Sequence, residues 1–322
     1  MGATPSGGSD GSPPADRSRV SVCIVNWNTR DRLAACLGAL REQAEAASAE
    51  VIVVDNASAD GSAAMVRERF PWVRLIANDE NRYYAAANNQ GIAASRGRFV
   101  LLLNPDVELR PGALETMCRF LKEHEDAAAV GCKLILPDGT TQASCRTFPS
   151  PGVLVWEATG LSRIFPRSRR FGAYRMTHWG YDEVAEVDQP MASCLMLRRN
   201  ALDAVGLFDE QFPMLFNDVD LCLRLKQAGW RIYFTPDASA LHHHGSSTRL
   251  VRAEMVRESH RGLMRFYRKH YRGRLSPLTY AASALLIWAG GALRYACARA
   301  GRALRAREAR PALDTEPRVG PS

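Results

Sequence analysis

Four near-continuous apolar runs, at residues 20–25, 51–54, 73–76 and 99–103, most tightly limit what this chain can fold into. Three segments of helical length, 31–43, 62–70 and 85–95, separate them and are largely Ala, Leu, Arg and Glu. A strand that is apolar at nearly every position must be covered on both faces. Runs of this kind alternating with helices therefore describe an α/β fold, with a mostly parallel central sheet and helices on both sides. In such a sheet, ligands bind beyond the carboxyl ends of the strands. The residues just past those ends are Asn26-Trp27-Asn28, Asp55-Asn56 and Asn104-Pro105-Asp106. Any one of these is ordinary turn or capping chemistry, but three at neighbouring strand ends favour a binding site.

A Rossmann-like sheet invites a dinucleotide, which needs a G-x-G-x-x-G turn after the first strand. Here that turn reads Asn26-Trp27-Asn28-Thr29, without glycine, and no Walker-type loop occurs elsewhere. The 322 residues, 46% hydrophobic and 24% charged, suffice for one large or two modest domains. Eight cysteines form no CxxC pair and the N-terminus has no signal-peptide pattern, which reads as reduced thiols in a cytosolic protein. Residues 1–18, rich in Gly, Ser, Pro and Asp, read as a disordered leader.

The second half is less regular. Residues 137–184 mix Pro, Gly, Ser and Arg clusters with aromatics such as Trp156, Phe165 and Trp179, and read as an insertion or acceptor-side loop. A strand is expected at 192–198, a turn at 206–210, a helix at 218–228 closed by Gly229, and a further strand at 232–234.

The net charge of +8 is uneven: from Arg249 onward there are 16 Lys and Arg against 5 Asp and Glu, whereas the preceding 248 residues carry 26 against 29. Such a tail suits an anionic partner, a membrane surface or a polyphosphate. Nucleic acid is disfavoured, because no basic-aromatic recognition motif accompanies the charge. Arg257, Arg261, Arg265, Arg268 and Arg272 recur at helical spacing, a pattern that is ordinarily a solvated face. The uncharged segment 275–293 follows, flanked by Arg274 and Arg294 and weakened as a spanning helix by Pro277 and its glycines. A membrane-surface helix or hydrophobic hairpin over 249–298 is expected in preference to a span, with a disordered tail at 299–322.

Ordered motifs now carry a resemblance. Residues 54–62 (Val-Asp-Asn-Ala-Ser-Ala-Asp-Gly-Ser), Asn88-Asn89-Gln90-Gly91-Ile92 and Leu102-Leu103-Asn104-Pro105-Asp106 resemble the nucleotide-binding half of family-two glycosyltransferases with the GT-A fold. Downstream, residues 206–210, 216–221 and 242–247 are similar to motifs of the rhamnosyltransferase-like branch of that family. The likeness spans about 20–271. It implies a GT-A domain at 19–248, with a nucleotide-binding half at 19–106 and an acceptor half at 107–248. Three positions depart from the family pattern: Tyr83 stands where glycine is usual, Asn217 where Glu is common before the catalytic Asp, and Ala192 where Gly is usual.

Inverting transfer is a single displacement, so one base for the acceptor hydroxyl and one way to stabilise the departing nucleoside diphosphate suffice, unlike the paired carboxylates of glycosidases. Asp106 is the candidate ligand for a hard divalent ion, Mg2+ or Mn2+, bridging the diphosphate. Asn104 is neutral and suits a hydrogen bond to ribose or donor sugar. The resemblance implies that Asp218 is the catalytic base, Asp55 the acceptor of a uracil or thymine imide N–H, and His242 a residue near the metal. It also brings in Asn26, Asn28, Asn56, Asn81 and Asn89 as donor contacts. The other readings stay open: Asn-Pro-Asp as a turn, Asp55 as a helix cap, Asp218 as a capping acid whose pKa the helix dipole lowers, and His243 and His244 as bystanders. The expectation is transfer from a UDP- or dTDP-linked donor, dTDP-rhamnose foremost, to a lipid-linked or polysaccharide acceptor of the cell envelope. The enzyme would work on the cytoplasmic face of the membrane as a peripheral protein. The alternative, motivated by Tyr83 and Asn217, is a non-catalytic nucleotide-sugar-binding scaffold.

Overall fold

The computed structural model describes residues 20–243 and 252–308, with side chains at 20–243 and 255–296. The leader expected at 1–18, residues 244–247 of the histidine motif, and residues 309–322 lie outside the described residues.

The first half is the expected alternation: β1 (Val20–Asn26), α1 (Arg30–Ala46), β2 (Glu50–Asp55), α2 (Ser62–Arg69), β3 (Arg74–Ala77), α3 (Tyr83–Ala94) and β4 (Phe99–Leu103). It continues through β5 (Val107–Leu109), α4 (Ala113–Glu123) and β6 (Ala127–Ile135). Short pieces follow: β7 (Cys145–Arg146), α5 (Pro151–Thr159), α6 (Leu161–Ile164), β8 (Ala185–Glu186) and β9 (Gln189–Pro190). The chain then forms β10 (Cys194–Arg198), α7 (Arg199–Val205), α8 (Asn217–Gln227), β11 (Arg231–His242), α9 (Arg252–His270) and α10 (Pro277–Glu308).

The central sheet runs β3-β2-β1-β4-β10-β6-β11-β5, with β8 beside β11. β3, β2, β1 and β4 are mutually parallel, β10 lies antiparallel between β4 and β6, and β6 pairs in parallel with β11. Alternate residues of each central strand feed opposite cores. Val20, Val22 and Ile24 join Phe99, Leu101 and Leu103 under α1, α2 and α4, whereas Cys23, Val100 and Leu102 pack with Ala85 and Ile92 of α3 and with Leu221 and Leu225 of α8. This two-sided burial is the physical reason the strands are apolar throughout.

β6 was not anticipated, because its Ala-Ala-Ala start has low strand propensity. Its place between β10 and β11 overrides that preference, and Gly131 within it permits close approach of β9: a Cβ there would meet the Pro190 ring at 2.6 Å. The strand expected at 232–234 is the first part of the 12-residue β11, which extends to His242.

The C-terminal expectations need correction. Of the two forms expected for segment 275–293, a helix or a hairpin, it takes the helix: residues 277–293 lie within α10, where Pro277 is the first helical residue, a position that loses no helical hydrogen bond to proline. The helix runs on to Glu308, through the stretch expected to be irregular from 299, because Ala, Arg and Leu are strong helix formers. Among the described residues, no helix is long and apolar enough to cross a membrane. Phe266 and Tyr267 of α9 pack with Val219 of α8, Phe212 and Ile287 of α10 in a separate apolar cluster. The basic stripe is only partly solvated: Arg265 pairs with Glu258 at 2.8 Å, while Arg257, Arg261, Arg268 and Arg272 are exposed.

Candidate active site

A cavity of about 350 Å³ opens beyond the carboxyl ends of β1, β2 and β4, where the strand-end rule places it. Of the expected residues, it gathers Asn56, Asn81, Asn104, Asp106, Asp218 and His242. Asn26, Asn28, Asp55 and Asn89 are not in its wall.

Those four organise the loops behind it. Buried Asn26 donates from Nδ2 to Asp55 Oδ1 at 2.8 Å and accepts from the Thr29 hydroxyl at 2.6 Å. Asp55 Oδ2 accepts the backbone N–H of Ser58 at 3.0 Å, tightening the turn after β2. It does not cap α2, whose preceding turn is held instead by Asp60, which accepts the N–H of Ser62 at 3.0 Å. Asn28, in the left-handed region at φ 52°, accepts the N–H of Ala59 at 2.8 Å. Asn89 departs furthest from expectation. Its amide donates to the Phe208 carbonyl at 2.9 Å and accepts the Phe208 N–H at 3.0 Å, clamping α3 to the loop before α8.

Asn56 fixes one wall of the cavity. Its Oδ1 accepts from Asn78 Nδ2 and the Arg82 N–H, and its Nδ2 donates to Asn81 Oδ1 at 2.9 Å and to the Tyr83 carbonyl at 3.2 Å. Tyr83 has φ 62°, in the region that favours glycine, so the family's usual glycine and this tyrosine meet the same backbone demand. Holding a non-glycine residue there costs on the order of 1 kcal/mol. The Tyr83 side chain is 54% exposed and shares the cavity wall with Trp27.

At the opposite side, Asp106 follows β4 and faces the end of β11. His242 Nε2 lies 3.6 Å from Asp106 Oδ1, while His242 Nδ1 donates to Gln142 Oε1 at 2.7 Å. That outer hydrogen bond places the proton on Nδ1 and aims the Nε2 lone pair toward the carboxylate. Two ligands each about 2.0–2.1 Å from one small cation lie up to roughly 4 Å apart, so this pair fits a shared divalent ion. Among the described residues, no group of three or more His, Cys, Asp or Glu side chains converges. His243, read as a bystander, instead pairs with Glu108 at 2.7 Å, and its N–H donates to the Asp106 carbonyl at 2.9 Å.

Asp218 is the second residue of α8. Its Oδ2 accepts from Gln189 Nε2 at 2.8 Å and its Oδ1 from the Val219 N–H at 2.9 Å. Asn217, the departure from the usual Glu, is buried and accepts the Asp218 N–H at 2.8 Å, so it shapes the helix start and leaves Asp218 intact. The expected lowering of the Asp218 pKa by the helix dipole is overridden. Burial raises it above the ordinary carboxylate value, against the lowering effect of the hydrogen bonds from backbone and Gln189. The buried Tyr84 hydroxyl, donating to the Ala192 carbonyl at 3.1 Å, lies in the field of both Asp218 and Asp106; burial first, and these charges next, push its pKa up.

Sequence reasoning missed Gln142 and Gln189, each of which orients a site residue. Their partners lie 100 and 29 residues away, and no local pattern marks them. It also missed Ser193, whose buried hydroxyl lines the cavity without a protein partner among the described residues.

The fold has solved counterparts. The mannosyltransferase PcManGT from Pyrobaculum calidifontis, in complex with GDP-Man and Mn2+, superposes with a TM-score of 0.56 at 20% identity, covering 92% of this chain and 81% of that one. GalNAc-T7 with UDP, GalNAc and Mn2+ gives 0.55 at 12% identity, over 71% of this chain and 44% of the other. These likenesses show the GT-A fold. The glycosyl transferase family 2 model matches residues 21–203, and the chain belongs to that family. It is a nucleotide-sugar-dependent glycosyltransferase. An N-acetylglucosaminyl-diphospho-decaprenol L-rhamnosyltransferase of Mycobacterium tuberculosis is 34% identical over 209 residues, 62% of this chain and 67% of the relative. The O-antigen biosynthesis protein RfbC of Myxococcus xanthus is 29% identical over 74% of this chain but only 18% of its own length.

Proposed function

We propose that this enzyme transfers a sugar with inversion, rhamnose from dTDP-rhamnose being the best-supported donor, to a lipid-diphosphate-linked acceptor in cell-envelope glycan synthesis. The observation that carries the reading is the grouping of Asp106, His242 and Asp218 around one cavity at the strand ends. Asp218 takes the proton of the acceptor hydroxyl as that oxygen attacks the anomeric carbon. Its raised pKa, nearer neutrality than an ordinary carboxylate's, suits a general base. Asp106 and His242 would hold a divalent cation, Mg2+ or Mn2+, which when bound offsets negative charge growing on the departing diphosphate. Asn104 and Asn81 line the same cavity, which supports hydrogen bonds from them to the donor, and Trp27 and Tyr83 add aromatic faces to its wall. Selection by Asp55 of a base carrying an imide N–H rests on the family resemblance; the carboxylate lies behind the cavity wall, next to Asn56 in it, with acceptor capacity beyond its two internal donors. The 34% identical relative supports both the rhamnosyl donor and the lipid-linked acceptor. Exposed Leu278, Leu285, Trp288 and Leu293 on α10, with the surplus of arginine around them, support peripheral attachment to an anionic inner membrane face.

The test is a donor panel of UDP-, dTDP- and GDP-sugars with a lipid-linked N-acetylglucosaminyl diphosphate acceptor, run with Mg2+, Mn2+ or chelator. Transfer from dTDP-rhamnose, lost in chelator and reduced about a hundredfold or more in Asp106→Ala, is expected. Undiminished transfer in chelator contradicts the metal role, and turnover only with another donor contradicts the sugar assignment.

A further inference from the structure

A second cavity, of about 290 Å³, lies between α5, α9 and α10. Its wall has two chemistries. Arg146, Arg175 and Arg294 supply guanidinium groups, whereas Leu154, Leu263 and Ile287 supply an apolar side. The acid in the wall, Glu157, is engaged by Arg175 at 3.0 Å. Burial pushes the Glu157 pKa up, but the Arg175 hydrogen bond and the Arg175 and Arg294 charges more than offset this, so it stays ionised and neutralises only part of the positive charge. Neither Arg146 nor Arg294 makes an ion pair among the described residues. Arg146 is nevertheless fixed in place, donating from Nη1 to the carbonyls of Ala143 and Cys145 at 2.6 and 2.7 Å.

The two cavities share the start of α8. Phe216 lines the second, and the next two residues, Asn217 and Asp218, line the first. Phe216 holds φ 68° and packs so closely on α9 that a Cβ on Gly262 would lie 2.9 Å from its ring. Tyr174, in the wall of the second cavity, lies in the field of Asp218, so the two sites are electrostatically adjacent.

A pocket with surplus guanidinium on one side and buried leucine and isoleucine on the other matches a molecule that is a phosphate anion at one end and hydrocarbon at the other. We propose that this cavity binds the diphosphate and first hydrocarbon units of the lipid-linked acceptor, presenting the attached sugar past Phe216 to Asp218. This rests on the acceptor class proposed above. The hydrocarbon continues toward α10, whose outer face carries exposed Leu285 and Trp288.

The experiment measures binding of farnesyl diphosphate to the full chain, with the first cavity saturated by dTDP and Mn2+. Inorganic diphosphate, farnesol and phosphatidylglycerol vesicles serve as separate probes. Two variants leave the described active-site residues untouched. Arg294→Glu inverts an exposed charge in the wall, and Gly290→Leu fills the pocket from a position where an added Cβ meets nothing within 4 Å. Farnesyl diphosphate should bind at least tenfold more tightly than inorganic diphosphate or farnesol, and both variants should weaken it at least tenfold while dTDP affinity is unchanged. Equal binding by wild type and variants overturns the proposal, as does competition by vesicles as effective as that by farnesyl diphosphate, which assigns the anion site to a bilayer headgroup. Equal tightness of inorganic diphosphate assigns it to a free phosphate and also overturns it. Transfer to a water-soluble acceptor sugar reports separately on the transferase reading: its retention alongside failed farnesyl diphosphate binding removes only the pocket.

Discussion

Asp218 and Asp220 stand two residues apart in the first turn of α8, yet they face different regions of the molecule and are held in opposite ways. Asp218 turns to the active-site cavity, where one glutamine and backbone N–H groups do not fully offset burial, so its pKa rises. Asp220 turns inward against α9. Burial alone would raise it too, but hydrogen bonds from His270 and Lys269 and the charge of Arg224 hold it at about 2. The lesson is that neither helix position nor residue type decides what a carboxylate does; the number of cations that meet it does. Asp218 is left easier to protonate than an ordinary carboxylate, and Asp220 harder.

The comparison breaks first at Asp220. Asp220→Asn leaves Arg224 and His270 facing a neutral group in a buried site and should destabilise the fold by roughly 3–5 kcal/mol, read from denaturant midpoints. Little loss there would mean that the α8–α9 network is not an anchor. The pH dependence separates the two residues next. Asp220, with its folded value below the unfolded 3.8, contributes stability that is present above about pH 4 and lost as pH falls toward 2, worth about 2 kcal/mol. Asp218 has the opposite sign: its raised value makes the ionised form a cost to folding that is relieved as pH falls. Acidification should therefore abolish transfer, through protonation of Asp218, at a pH where thermal melts still show a folded protein. Loss of activity and unfolding in the same narrow pH range would contradict this. The smallest effect is expected from Gln189→Leu, which removes a donor that favours ionised Asp218. The acid limb of kcat/KM should move up by about one pH unit, with activity near neutrality falling less than about tenfold.

The N-terminal half was legible because its burial is two-sided and local. Strands such as 99–103 declare themselves by unbroken apolarity, and the strand-end rule then points to Asn104 and Asp106. The second half was less so, because its elements are held by long-range contacts. β6 forms from an alanine-rich stretch only because β10 and β11 flank it, and α10 begins where Pro277 suggested an interruption. The site shows the same division. Asp106, Asp218 and His242 came from motif and chemistry, while the glutamines that orient the last two lie in segments with no periodic signal. Asn89 misled for the complementary reason: a motif asparagine reads alike whether it meets a ligand or, as here, the backbone of Phe208.

The central claim is that Asp218 is the base and owes nothing to stability. It is tested most directly by Asp218→Asn, assayed for acceptor-dependent release of nucleoside diphosphate beside donor binding and thermal stability. Transfer should fall about 10²- to 10⁴-fold, with donor affinity unchanged and the melting temperature equal to or above that of the wild type. Transfer within a few-fold of wild type, or a loss that merely tracks unfolding, would contradict it.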